Sequence, residues 1–226
     1  MTTPFSSLSR AISGVRGPNP PLVERHVVTA RIVCWVLVVV WLCAGAALGE
    51  DAEDPEIGFA GFLVDRYEYP NRVGAYPRVD VTFDEATRLC TERGKRLCTE
   101  HEWETACRGP RNMPFGYGIE FIPGRCNTPQ PDGEGGWIRD QGTEPSGTFA
   151  DCGPDHGAVD MVGNVWEWTQ GWYDEERGWR VIRGGSWFNN LNLASADGRY
   201  GRELVAEFHL DLVGFRCCRD APDGSQ

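Results

Sequence analysis

Hydrophobic and polar positions change their period several times along this 226-residue chain, and the changes mark its elements. Residues 32–49 contain no charge, and 32–42 are strongly apolar. Arg25 and Arg31 precede the run, and Glu50, Asp51, Glu53 and Asp54 follow it. A basic flank, an apolar run and small residues before an acidic start form the pattern of a secretory signal, with Ala47-Leu48-Gly49 as the cleavage site. The run also approaches the ~17–25 residues that cross a bilayer, so an uncleaved anchor is the alternative. The positive flank would then stay inside and send the remainder outside. Residues 1–31 read as a basic, polar tail, 32–49 as signal peptide or signal anchor, and 50–226 as one domain. Both readings of 32–49 make the domain extracytoplasmic: secreted, periplasmic or membrane-anchored.

Within the domain, residues 62–69 are apolar and then alternating, which predicts a first strand, bounded by Pro70 and Pro77. Thr82-x-x-Glu85 is a capping box ahead of Ala86, Leu89 and Cys90, which share one helical face, and Gly94 ends that helix. Thr99-x-x-Glu102 is a second capping box, ahead of Trp103, Ala106 and Cys107, with Gly109 as the stop. Residues 110–154 are rich in Gly, Pro, Asp and Asn and read as long ordered loops. Short aromatic strands follow at 165–169, 179–183 and 213–218.

Charge and cysteine content narrow the possibilities. Four of the 22 basic and one of the 33 acidic residues lie before residue 50, which leaves the domain a net charge of −14. Such a surface repels phosphate backbones and excludes nucleic acid as a partner. It suits calcium held by oxygen ligands. Beyond Cys34 and Cys43 of the apolar run, seven cysteines remain: Cys90, Cys98, Cys107, Cys126, Cys152, Cys217 and Cys218. No pair has zinc-site spacing, and His101, His156 and His209 are scattered, so a disulfide framework is expected.

Six motifs occur in order: Asp65-Arg66-Tyr67-Glu68 within the first strand, Val81-Thr82-Phe83-Asp84-Glu85-Ala86, and Gly94-Lys95-Arg96-Leu97-Cys98-Thr99-Glu100-His101-Glu102-Trp103-Glu104. Then come Asp160-Met161-Val162-Gly163-Asn164-Val165-Trp166-Glu167-Trp168, Arg183-Gly184-Gly185-Ser186-Trp187 and Gly214-Phe215-Arg216-Cys217. Over residues 57–220 the chain resembles the formylglycine-generating-enzyme, or sulfatase-modifying-factor, domain family. The resemblance implies an α+β fold, a loop-rich, disulfide-stapled variant of the C-type-lectin-like fold with first and last strands side by side.

In that family two cysteines near the Arg-Gly-Gly-Ser motif bind copper(I) and oxidise a substrate cysteine to formylglycine. Those positions fall on Asn189 and Ala194 here, and neither can supply the soft thiolate that copper(I) needs. Copper is therefore not expected, and no histidine motif matches the related iron enzymes. The resemblance keeps Trp166, Ser186, Asn189 and Arg199 as pocket candidates. An open cleft with Asn189, Asn190, Arg199 and Trp166 converging would favour ligand binding; a plug formed by Phe188 or Leu191 would favour a structural role. For calcium it implies one site at Asp160, Gly163, Val165 and Glu167, and a second including Asn127 and the Thr128 carbonyl with Asp140 nearby. It pairs Cys90 with Cys217. Cys126 and Cys152 bracket the long loop and pair, and Cys98 with Cys218 completes the set, because adjacent strand residues face opposite sides. Cys107 is left over, inert or bonded to another chain. The expected function is an exported domain lacking the copper-binding pair: a binding module for a protein, peptide or glycan, or a divergent family member. The alternatives are an active oxidoreductase, formylglycine-generating or nonheme-iron in type, with a different residue set, and a structural cell-surface domain. Membrane contact would come only through residues 32–49 if uncleaved.

Overall fold

The computed structural model describes residues 54–155, 157–188 and 193–222. The tail, the apolar run and Asn189 lie outside the described residues. Among the described residues, no helix is long and apolar enough to cross a membrane.

The domain opens with a hairpin of β1 (Glu56–Phe59) and β2 (Phe62–Asp65), turned at Gly61. Helix α1 (Phe83–Thr91) starts where Thr82 accepts the Glu85 N–H. β3 (Arg96–Leu97) leads to α2 (Glu100–Arg108), whose capping box is complete: Thr99 accepts the Glu102 N–H, and the Glu102 carboxylate accepts the Thr99 N–H. Residues 110–154 run as loops except for the two-residue strands β4 (Gln130–Pro131) and β5 (Trp137–Ile138). Then come β6 (Trp166–Asp174), β7 (Trp179–Arg183), β8 (Arg199–Tyr200), β9 (Val213–Phe215) and β10 (Cys217–Asp220).

Two four-stranded sheets organise these elements, in the orders β1-β2-β10-β3 and β8-β7-β6-β9. The last strand lies antiparallel beside β2, with Cys218 opposite Val64, so the first and last described strands share one sheet. The predicted strand at 213–218 is in fact two, broken at Arg216, and each half joins a different sheet. β1 is absent from the sequence reading because four residues, mostly half-buried, carry too little alternation to stand out.

The break at Arg216 also sorts the core. Cys217 packs with Trp166, Trp168, Phe215 and Val81, whereas Cys218 packs with Phe62, Val64, Trp103 and Cys107. Trp103 and Trp168 are fully buried, each adding apolar burial on the order of 2–3 kcal/mol to a core poor in aliphatic residues. Adjacent cysteines on opposite faces of β10 thus reach opposite ways. Cys217 bonds Cys90 of α1, and Cys218 bonds Cys98 just before the α2 cap. Cys126–Cys152 closes the long loop.

Candidate functional site

The Arg-Gly-Gly-Ser segment leaves β7 in a turn that side chains would block. Gly184 and Gly185 have φ of 92° and 77°. A Cβ on Gly184 would lie 2.8 Å from the Met161 carbonyl, and one on Gly185 would lie 2.9 Å from the Ala194 Cα. This close approach brings the Ala194 backbone against the turn and buries its methyl completely. The Ser186 hydroxyl beyond it is also fully buried and accepts the Phe188 N–H at 3.3 Å.

Arg199 lies in register opposite Arg183, and the Gly184 N–H donates to the Gly198 carbonyl, so β8 runs beside the turn. Trp166 is 4% exposed and neighbours the Tyr200 ring at 6.4 Å. Arg199 points to α2: its guanidinium donates to both Glu100 oxygens, at 2.7 and 3.1 Å, and to the Trp172 carbonyl. Its charge is already matched, so an unpaired arginine at the Ser186 turn is not what Arg199 provides. Phe188 is 47% exposed, and Asn190 and Leu191 lie outside the described residues.

Thiol chemistry has no pair to work with among the described residues. Cys98 and Cys218 are bonded to each other. Cys107 is free but buried, with its sulfur 3.9 Å from the Met161 carbonyl. Burial pushes its thiol up to about 12, so it carries almost no thiolate at neutral pH. It shares a core cluster with Ala196.

Behind the turn lies a polar cluster that spacing alone did not reveal. Arg216, fully buried, donates from Nε and Nη2 to Glu167 at 2.8 to 3.0 Å, and from its Nη atoms to the carbonyls of Asp65, Arg66 and Val159. The Trp103 indole donates to the same carboxylate at 2.6 Å. Glu68 accepts from the Ser146 hydroxyl and from Asn164. Asp160, at φ 61°, accepts the Gly147 N–H at 2.6 Å. Burial pushes Glu68 well above the usual carboxylate range, and the charges of Asp160 and Glu167 add to it. Burial likewise lifts Asp160 to about 6, against the Gly147 N–H and Arg216. Three buried carboxylates thus share one buried guanidinium.

This arrangement bears on the two calcium sets. Three N–H groups, Arg216 Nε and Nη2 and the Trp103 indole, bond the Glu167 carboxylate, with Nε shared between its two oxygens. Gly163 and Val165 are buried beside it, and the Gly163 N–H donates to the Gly184 carbonyl. Asn127 fits a cation better. Its amide nitrogen donates to Gly142 O and Asn164 Oδ1, both at 2.9 Å, while its Oδ1 is buried without a partner among the described residues. The Gln141 Oε1, next to Gly142, is likewise buried and unpaired. Orphaned amide oxygens are the ligand type that calcium takes.

A family model described as sulfatase-modifying factor enzyme 1-like domain matches residues 61–221. Inactive C-alpha-formylglycine-generating enzyme 2 of Bos taurus is 35% identical over 159 residues, 65% of this chain and 51% of that protein. The formylglycine-generating enzyme of Mycobacterium tuberculosis is 40% identical over 103 residues, 42% of this chain and 33% of that protein. The chain thus spans about half the length of the first relative and a third of the second. Among solved structures, PvdO from Pseudomonas aeruginosa has a TM-score of 0.53 at 21% identity, covering 71% of this chain and 80% of that one. CarF also scores 0.53, at 17% identity, covering 71% and 87%. These two share the fold. On sequence and structure together, the chain belongs to the sulfatase-modifying factor enzyme 1-like domain family.

Proposed function

We propose that this chain is an exported member of the family that binds a protein, peptide or glycan and does not form formylglycine. The observation that carries this reading is the thiol inventory at the Gly-Gly-Ser turn. Ala194 stands against the turn, and Cys107 is sealed in the core. Copper(I) prefers paired soft thiolates, and amide or hydroxyl groups do not replace them. Similarity to a relative named as an inactive formylglycine-generating enzyme supports the reading. Three disulfides suit an oxidising compartment outside the cytoplasm.

Calcium enters the reading as a structural ion. Asn127 is the side chain that would hold it, with Gln141 as a second oxygen donor. Such an ion would neutralise nothing catalytic; it would tie the turn after Cys126 to the turn before Thr143. An anaerobic copper(I) titration of the full chain tests the functional reading. No tight stoichiometric uptake is expected, and tight uptake overturns it.

A further inference from the structure

Arginines in this fold are generally held by carboxylates. Hydrogen bonds donated to Glu102, Glu104 and Glu100 raise the pKa of Arg96, Arg108 and Arg199 respectively. Arg180 is different. Its guanidinium carbon lies 3.4 Å from the Trp172 ring centroid and 4.0 Å from that of Phe83, so two aromatic rings flank it. Its side chain makes no ion pair or hydrogen bond among the described residues, and its Nε is buried without a partner. Burial lowers its pKa, opposed by the more distant charges of Asp84 and Glu175. Arg66, Arg125 and Arg139 also lack an ion pair among the described residues, but each meets a single ring at 5.2 Å or more, whereas Arg180 meets two at 4.0 Å or less.

The surroundings fix it in place. Trp172 stands opposite Arg180 in the β6–β7 register. Phe83 is the first residue of α1 and is 6% exposed. The Arg180 N–H donates to the Leu204 carbonyl at 2.7 Å. The rim remains open to solvent: Trp172 and Tyr173 are each 39% exposed and Tyr200 is 40% exposed. A planar guanidinium stacked on aromatic rings keeps its edge donors, and its fork matches a carboxylate with two parallel N–H···O bonds. Partial removal from water makes such a pair stronger than one in open solvent.

We propose that Arg180 and Trp172 form a binding site for a carboxylate carried on an apolar group, either a small organic acid or the free carboxyl terminus of a peptide. The carboxylate meets the guanidinium fork, and the apolar group lies along Trp172 and Tyr173. The site does not depend on the reading of the Ser186 turn.

The test follows the Trp172 indole N–H resonance of the full ¹⁵N-labelled chain, assigned through Trp172→Phe. Sodium benzoate should shift it saturably, and neutral benzamide should bind at least about tenfold more weakly. Arg180→Lys keeps the charge, removes the fork and should weaken benzoate by about tenfold or more. A short peptide ending in phenylalanine separates the sources. Binding tighter than benzoate and lost on C-terminal amidation assigns a peptide terminus; binding no tighter than benzoate assigns a small acid. The proposal is overturned if no carboxylate saturates below about 50 mM, if benzamide matches benzoate, or if Arg180→Lys binds unchanged. Should that variant not fold, the benzoate and benzamide comparison on the unmodified chain decides.

Discussion

Glu167 on β6 and Arg216 at the β9–β10 break form an ion pair at 1% and 0% side-chain exposure, with contacts of 2.8 Å from both Nε and Nη2. The pair joins the two sheets at the point where the chain passes from one to the other. Removing one partner strands the other charge in the core. Arg216→Met or Glu167→Gln should each cost on the order of 3–5 kcal/mol, read from the denaturant midpoint. The double variant should recover part of that loss. Single costs below about 1 kcal/mol would mean that the pair does not anchor the fold.

The vicinal cysteines should behave as two separate staples. Cys90–Cys217 and Cys98–Cys218 span 127 and 120 residues. With the neighbouring bond intact, each closes a loop of only about ten residues in the unfolded chain, so in the chain-entropy picture opening either one costs about 3 kcal/mol. Cys217→Ser and Cys218→Ser should each lower the unfolding midpoint without abolishing the other bond, as peptide mapping would show. Cys107 should resist thiol reagents in the native chain and react on unfolding, since its sulfur is buried and protonated.

Asp160 makes stability depend on pH. Its folded value is raised to about 6, so its contribution is full below the unfolded value near 3.8 and is lost as pH rises through about 6. Asp160→Asn removes the buried charge and suits the positive φ at this site. In EDTA at pH 7.5 that variant should be more stable than the parent by about 1–3 kcal/mol, and the gap should close toward pH 4. A gap independent of pH would show that the Asp160 charge is not the source. Glu102 works in the opposite sense: burial raises it, but Arg96 and the Thr99 N–H outweigh this and lower its value, so its contribution is lost as pH falls below about 4.5.

Calcium should raise the thermal midpoint of the full chain over EDTA. Occupying one native-state site at a hundredfold excess over Kd contributes about 2.7 kcal/mol. Asn127→Ala should remove most of the shift, and Gln141→Ala part of it. An unchanged shift in Asn127→Ala would place the ion elsewhere.

The parts of this fold governed by local chemistry were legible in the sequence. Thr82 and Thr99 announce both helices because a hydroxyl three residues ahead of a glutamate caps a helix wherever it lies. The aromatic strand Trp179–Arg183 has the bounds its pattern predicts. The site was less legible because its pairings are long-range. Arg199 takes Glu100, 99 residues away, as its partner. Glu167 takes Arg216 as its partner from 49 residues away. Spacing cannot show which oppositely charged groups tertiary packing will bring together. It did show what the Gly-Gly-Ser turn lacks, since a missing cysteine is visible in any conformation.

Incubating the full chain with copper and a sulfatase-type cysteine peptide under oxygen, and reading the peptide by mass spectrometry, puts the thiol inventory to the test. The peptide should keep its thiol, with no trappable aldehyde above a protein-free control. Conversion to formylglycine would contradict the assignment of this chain as a member without that chemistry.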